Sequence, residues 1–213
     1  MSGYIGINGK AKGISDIYVG VDGKAKKIVA GFVGDENGKA RQIYSSEPPV
    51  WKFTMINGAY FQMRGECVID FGDGTSQTLD DRTVTETIQH DYSDTDEHQI
   101  IVTGRIASVS FYGGGHPEYL QSVDTVIPKQ NWLTSFDSCF RGCTSLTAIP
   151  SGLFDNCTAV TSFNWCFRGC TSLTGLAPEL WDTTIWTSVT EHSLCFYNCT
   201  GLSNYADIPS DWK

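Results

Sequence analysis

Eight cysteines are the residues of this 213-residue chain best suited to chemistry, and six of them recur in one setting. Cys139-Phe140-Arg141-Gly142-Cys143, Cys166-Phe167-Arg168-Gly169-Cys170 and Cys195-Phe196-Tyr197-Asn198-Cys199 repeat a Cys-x3-Cys pair, with Cys67 and Cys157 outside the pattern. Such thiols can bind zinc, form disulfides, or line a core as small apolar side chains. Zinc sites more often use Cys-x2-Cys or mixed Cys/His spacing, and disulfides need an oxidising compartment. The phenylalanine beside each first thiol favours apolar packing. Cys139, Cys143, Cys166, Cys170, Cys195 and Cys199 are therefore read as a structural thiol ladder, each pair one helical turn apart on one face, with no metal site. A nucleophilic cysteine needs a neighbouring base or helix terminus to depress its pKa, and thiols interchangeable by repeat offer no such specialised setting.

The other reactive residue types assemble no catalytic set. His90 lies in a motif described below, and His98, His116 and His192 stand apart as surface or hydrogen-bonded residues. Asp70 and Asp73 flank a glycine turn, but calcium wants six to eight oxygens and a catalytic pair wants tuned pKa values. Turn-stabilising hydrogen bonds are the expected role of Asp73, with Gly74 as the structural turn partner. Gly113-Gly114-Gly115 lacks the Lys-Ser/Thr of a phosphate-cradling loop. Glu179, Asp182 and Glu191 are acids of an acidic chain, a weak basis for a glycan-hydrolysing pair. Asn156-Cys157-Thr158 and Asn198-Cys199-Thr200 fit a glycosylation pattern but sit at repeat positions and are read as turn chemistry. No enzyme and no cofactor is expected.

Fifteen Lys/Arg against 24 Asp/Glu give a net charge of −9, which removes the electrostatic footprint of nucleic-acid binding. No run approaches the ~18 apolar residues of a membrane span, and Met1-Ser2-Gly3-Tyr4-Ile5-Gly6 has no signal-peptide character, so a protein folded in the cytoplasm without membrane insertion is expected. Charge is uneven. Residues 1–44 carry seven Lys/Arg against four acids, net +3, which leaves −12 for the remainder. Twenty-two glycines among many Thr, Val, Ile and aromatic residues point to strands and tight turns, hence a mainly β fold.

Three kinds of sequence must position these residues. Residues 1–44 repeat Tyr4-Ile5-Gly6-Ile7-Asn8-Gly9-Lys10-Ala11-Lys12, Tyr18-Val19-Gly20-Val21-Asp22-Gly23-Lys24-Ala25-Lys26 and Phe32-Val33-Gly34-Asp35-Glu36-Asn37-Gly38-Lys39-Ala40-Arg41, the last with one inserted residue. Asn-Gly and Asp-Gly between β-prone stretches predict three hairpins. Each buries too little to offset roughly 1–2 kcal/mol of backbone entropy per residue, so the segment needs a partner surface. The units resemble the short N-terminal repeats of tail-associated and other virion proteins of phages and prophages of Gram-positive hosts. That resemblance implies docking on a particle, with Tyr4, Tyr18, Phe32, Lys10, Lys24, Lys39 and Arg41 as docking residues.

Pro48-Pro49 marks a linker at 45–50. Beyond it, Trp51 to Ile56, Tyr60 to Met63, Cys67 to Phe71 and His98 to Gly104 read as strands of a small β-sandwich over 51–104. Phe71-Gly72-Asp73-Gly74-Thr75 and His90-Asp91-Tyr92 resemble the hallmark turn and His-x-Tyr of polycystic-kidney-disease-type (PKD-like) domains. Residues 105–213 hold the cysteine repeats, spaced 27 and 29 residues. A period in that range is the mark of a leucine-rich-repeat solenoid of about four coils, with residues 119–128 as a degenerate first coil and 106–111 as its cap. The segments Phe140-Arg141-Gly142-Cys143-Thr144-Ser145-Leu146-Thr147 and Phe167-Arg168-Gly169-Cys170-Thr171-Ser172-Leu173-Thr174 resemble BspA-type leucine-rich repeats of bacterial surface and phage proteins.

The resemblances together imply a non-enzymatic virion protein, in head decoration or tail-associated, docked on a capsid, tail or baseplate subunit and displaying sandwich and solenoid for attachment to a host-surface glycan or protein. Among the aromatics Trp132, Trp165, Trp181, Trp186 and Tyr197, the contact candidates are Trp181, Trp186 and Tyr197. A bacterial surface adhesin is the alternative reading, and a glycan-degrading virion enzyme the less favoured one.

Overall fold

Alternating apolar residues from Trp51 onward fold as an antiparallel sheet whose one face is buried. The computed structural model describes residues 49–213 except Asn131, together with four strands in the preceding segment. The chain divides into two compact units, Met1–Pro48 and Pro49–Lys213. In the first, β1 (Tyr18–Val21) pairs antiparallel with β2 (Lys24–Lys27), and β3 (Phe32–Gly34) with β4 (Ala40–Gln42). Val21 faces Lys24 in register and Gly34 faces Ala40, which leaves two residues between the paired strand ends in one copy and five in the copy with the inserted residue. The expected first hairpin, with Tyr4, Lys10 and also Lys39, lies outside the described residues. Tyr18, Lys24, Phe32 and Arg41 sit on the four strands.

In the second unit β5 (Val50–Ile56), β6 (Ala59–Asp70), β7 (Ser76–Leu79), β8 (Glu86–His90), β9 (Glu97–Ser110) and β10 (Leu120–Val123) form one six-stranded sheet, order β10-β5-β9-β6-β7, with β8 also on β6. The protein is mainly β, and its described helical content is three short 3-10 turns. Two glycines explain why β6 and β9 outrun the expected strands. A Cβ on Gly65 would lie 2.4 Å from the Arg105 carbonyl oxygen, and one on Gly104, whose φ is +127°, 2.6 Å from that of Glu66. They are sites of close strand approach, not strand ends. Ala107 is then an extra residue in β9 where the register with β6 shifts, and buried positions change from Ile100, Val102 and Ile106 to Val109 and Phe111. A sandwich boundary expected at 104 thus falls inside β9, and residues 120–123 of the expected first coil join the sheet.

Phe111 carries the core out of the sheet. It packs edge-on to Phe53 at 5.0 Å between ring centroids and stacks on Phe140 at 5.5 Å. Phe140, Phe167 and Phe196 continue the stack at 5.0 and 5.5 Å, nearly parallel, and Phe136 stacks on Phe163 at 5.6 Å. Backbone bonds repeat in register from turn to turn: Phe111 N–H to Cys139 C=O, Phe140 to Cys166, Phe167 to Cys195 and Phe196 to Trp212, at 2.8–2.9 Å. The cysteine segments are not helical turns. Positive φ recurs on either side of each first thiol, at Ser138 and Gly142, Trp165 and Gly169, and Leu194 and Asn198, which prevents a helix from propagating and leaves i to i+3 turns instead. Asn198 takes the glycine position because a short amide side chain tolerates that backbone.

Candidate attachment site

All eight cysteines are free and buried. The thiols of Cys166 and Cys195 face each other, as Cys170 faces Cys143 and Cys199. Cys170 Sγ donates to the Phe140 carbonyl at 2.8 Å and Cys199 Sγ to that of Phe167 at 3.0 Å. Burial raises Cys139, Cys166 and Cys170 well above the ordinary thiol range, Cys67 to about 11 and Cys157 to about 12. Protonated thiols of this kind are packing groups rather than nucleophiles. Among the described residues no three His, Cys, Asp or Glu side chains converge as a metal site.

Asp73 and Gly74 form a tight turn. Asp73 Oδ1 accepts from the Thr75 hydroxyl at 2.6 Å and the Thr75 N–H at 2.9 Å, and Oδ2 lies 2.8 Å from His90 Nε2. These bonds, the hydroxyl foremost, hold the Asp73 carboxyl well below the usual carboxylate range. Phe71 stacks on His90 at 4.2 Å, and the Tyr92 hydroxyl donates to the Phe71 carbonyl at 2.8 Å. Asp70 accepts from Gly72 N–H at 2.9 Å. Each carboxylate is engaged in shaping the turn.

The three contact candidates do not form one site. Trp181 and Trp186 come together at a cleft of about 250 Å³ beside the last turns, with Trp212, His192, Asp211 and Thr183 also on its walls. Both tryptophans are partly buried against the core. Trp186 meets Phe163 edge-on at 5.5 Å, and Trp181 meets Phe196 at 6.2 Å and Trp212 at 6.3 Å. The loop between them is fixed by Asp182, whose Oδ1 accepts from the Thr184 N–H at 2.8 Å and its hydroxyl at 2.6 Å, while the Asp182 carbonyl accepts from Trp186 N–H at 2.8 Å. Opposite, His192 lies flat on Trp212 at 4.3 Å, its buried Nδ1 without a hydrogen-bond partner and 3.9 Å from Asp211 Oδ2. The histidines are not isolated in space: His98 stacks on Tyr92 at 3.6 Å and His116 on Tyr119 at 4.6 Å.

Aromatic walls with one polar edge suit a ligand that has an apolar face and hydroxyls, such as a pyranose. Neither Trp212 nor His192 was a contact candidate from sequence; the signal for His192 is that it stands three residues before Cys195, where Phe136 and Phe163 stand before Cys139 and Cys166, whereas Trp212 lies beyond the cysteine repeats. Tyr197 stands elsewhere, beside Arg168, and the Trp132 ring centre lies 5.8 Å from the Arg82 guanidinium and 5.0 Å from that of Arg105. No family model, curated protein or solved structure matches the chain. Among the described residues no helix is long and apolar enough to cross a membrane.

Proposed function

We propose that this chain is a non-enzymatic structural and display protein of a phage particle, serving in head decoration or at the tail. In this reading residues 1–44 dock on a capsid, tail or baseplate subunit. The second unit presents a PKD-like β-domain and a BspA-type leucine-rich-repeat solenoid, and the Trp181–Trp186–Trp212 cleft contacts a host-surface glycan. The hydrogen-bonded Asp73–Thr75–His90 turn supports the PKD-like assignment. The in-register phenylalanine stack supports the solenoid assignment.

The observation that carries the attachment role is the cleft itself: three indoles are held by packing around an opening, with His192 and Asp211 as its polar edge. Two measurements test the proposal. Deleting residues 1–44 should abolish incorporation into particles, and normal incorporation overturns the docking role. Titration with a panel of neutral oligosaccharides should quench tryptophan fluorescence in the full chain and not in Trp186→Ala; equal quenching in both, or none in either, overturns the cleft.

A further inference from the structure

A second surface, separate from the tryptophan cleft, follows from the phenylalanine stack. The residue after each stacked ring is Tyr112, Arg141, Arg168 and Tyr197 in turn. Phe140 and Phe167 lie 5.0 Å apart, so the residues that follow them recur on adjacent turns. The rings and guanidinium groups interleave: Arg141 lies 4.3 Å from the Tyr112 ring centre and 5.5 Å from that of Trp165, and Arg168 lies 6.0 Å from Trp165 and 5.1 Å from Tyr197. Tyr112, Trp165 and Tyr197 are 44%, 41% and 47% exposed.

The guanidinium–ring contacts stabilise the column by only about 0.5–1 kcal/mol each at exposed sites, and other features of the column work against stability. Trp165 has φ +55°, a conformation shared by Ser138 and Leu194 at the matching positions and unfavourable for a bulky side chain, yet its ring is not in the core. Two like charges on adjacent turns repel. Residues 49–213 carry eight Lys/Arg against 19 Asp/Glu, but among the described residues neither Arg141 nor Arg168 forms an ion pair or donates a side-chain hydrogen bond within the protein. An acidic surface that leaves two neighbouring guanidinium groups without carboxylates, capped at both ends by exposed rings, is complementary to an external anion that also has stacking faces.

We infer that the Tyr112–Arg141–Trp165–Arg168–Tyr197 column binds an acidic, carboxylate-bearing polysaccharide. Carboxylates engage the two guanidinium groups, and sugar faces pack on Trp165 and the flanking tyrosines. The turn spacing is close to the length of one pyranose in an extended chain, so successive sugars meet successive rungs.

The test uses the full chain and two polymers with the same sugar ring, polygalacturonate and its fully methyl-esterified form, by calorimetry at low and high salt. Polygalacturonate should bind, and binding should weaken with salt. Arg141→Gln and Arg168→Gln should each weaken it about tenfold, the effect of one charge-assisted hydrogen bond. Trp165→Ser, which installs the residue that position 138 already accommodates, should weaken it with no loss of melting temperature. Trp186→Ala should leave it unchanged, which separates this column from the cleft. Equal binding of the two polymers, no binding of either, unaltered affinity in the arginine variants, or capture of inorganic phosphate without the polymer overturns the inference. A merely structural ladder would lower the melting temperature of the arginine variants and leave polymer affinity unmoved.

Discussion

Replacing Phe167 with alanine should cost about 3–5 kcal/mol of stability, the range for truncating a fully buried phenylalanine. The side chain is 0% exposed and stacks on Phe140 at 5.0 Å and Phe196 at 5.5 Å, with Phe154 edge-on at 6.0 Å. It is enclosed on both sides along the stack, so the neighbouring turns cannot close the void without breaking the bonds from Phe140 N–H to Cys166 and Phe167 N–H to Cys195. Phe167→Leu keeps most of the volume and loses two stacked pairs at about 0.5–1.5 kcal/mol each, hence roughly 1–3 kcal/mol. All six tryptophans lie beyond residue 48, so urea unfolding followed by indole fluorescence reports the second unit alone. A double-mutant cycle with Phe140→Leu and Phe167→Leu should show a coupling of about 0.5–1.5 kcal/mol. A cost under about 1 kcal/mol for the alanine variant, or no coupling, refutes the claim that the ring stack holds the repeats in register.

The remaining predictions concern the turn, the thiols and the strand crossing. Asp73 has its folded pKa depressed, so its contribution is fully present above the unfolded value of about 3.9 and is lost as pH falls below it; Asp73→Asn should flatten the acid limb of melting temperature against pH, and an unchanged slope counts against the turn. Tyr92→Phe, which removes the bond to the Phe71 carbonyl, should lower stability by about 0.5–1.5 kcal/mol in urea titrations. Iodoacetamide at pH 8 should leave the thiols of the folded protein unalkylated by mass spectrometry and modify all eight in urea, because all eight are buried out of the reagent's reach; rapid native labelling at Cys170 contradicts the buried rows. Gly104→Ala would bring a Cβ to 2.9 Å from the Cys67 Cα at a φ of +127°, and should destabilise by about 1–3 kcal/mol or more, read from the urea midpoint.

The mainly β character was legible because Thr, Val, Ile and aromatic residues alternate while helical periodicity is absent, and the pairing of Tyr18–Val21 with Lys24–Lys27 was legible from the Asp-Gly dipeptide between them. The continuity of β6 and β9 was not. Gly65 and Gly104 read locally as strand breakers, and only the partner strand reveals that their missing side chains let two backbones approach. The Cys-x3-Cys spacing suggested a helical turn because thiols four positions apart share a helix face; the sequence does not display that positions 138 and 142, and their counterparts, adopt positive φ, since Ser138, Trp165 and Leu194 have nothing in common as residue types. Trp181 and Trp186 could be singled out as large aromatics, but their enclosure depends on Trp212 and His192, which arrive from the closing turns.

The arginine column shows what a repeat adds to such a reading. A buried ring that recurs once per turn fixes its successor at the same place in every turn, so Tyr112, Arg141, Arg168 and Tyr197 are a column as soon as Phe111, Phe140, Phe167 and Phe196 are a stack. The stack also prevents two neighbouring charges from separating, because rung spacing is set by ring contact in the core and not by side-chain preference at the surface. Where only solubility is required, the repulsion is relieved by alternating signs, and the acidic residues needed are abundant in this chain. Here the two arginines on adjacent rungs rest on aromatic rings, which offset part of the repulsion, but meet no carboxylate among the described residues, which leaves the rest of that electrostatic cost in the free protein. An anion bridging the rungs removes that cost on binding, so the repulsion itself becomes a source of selectivity for charged over neutral polymers.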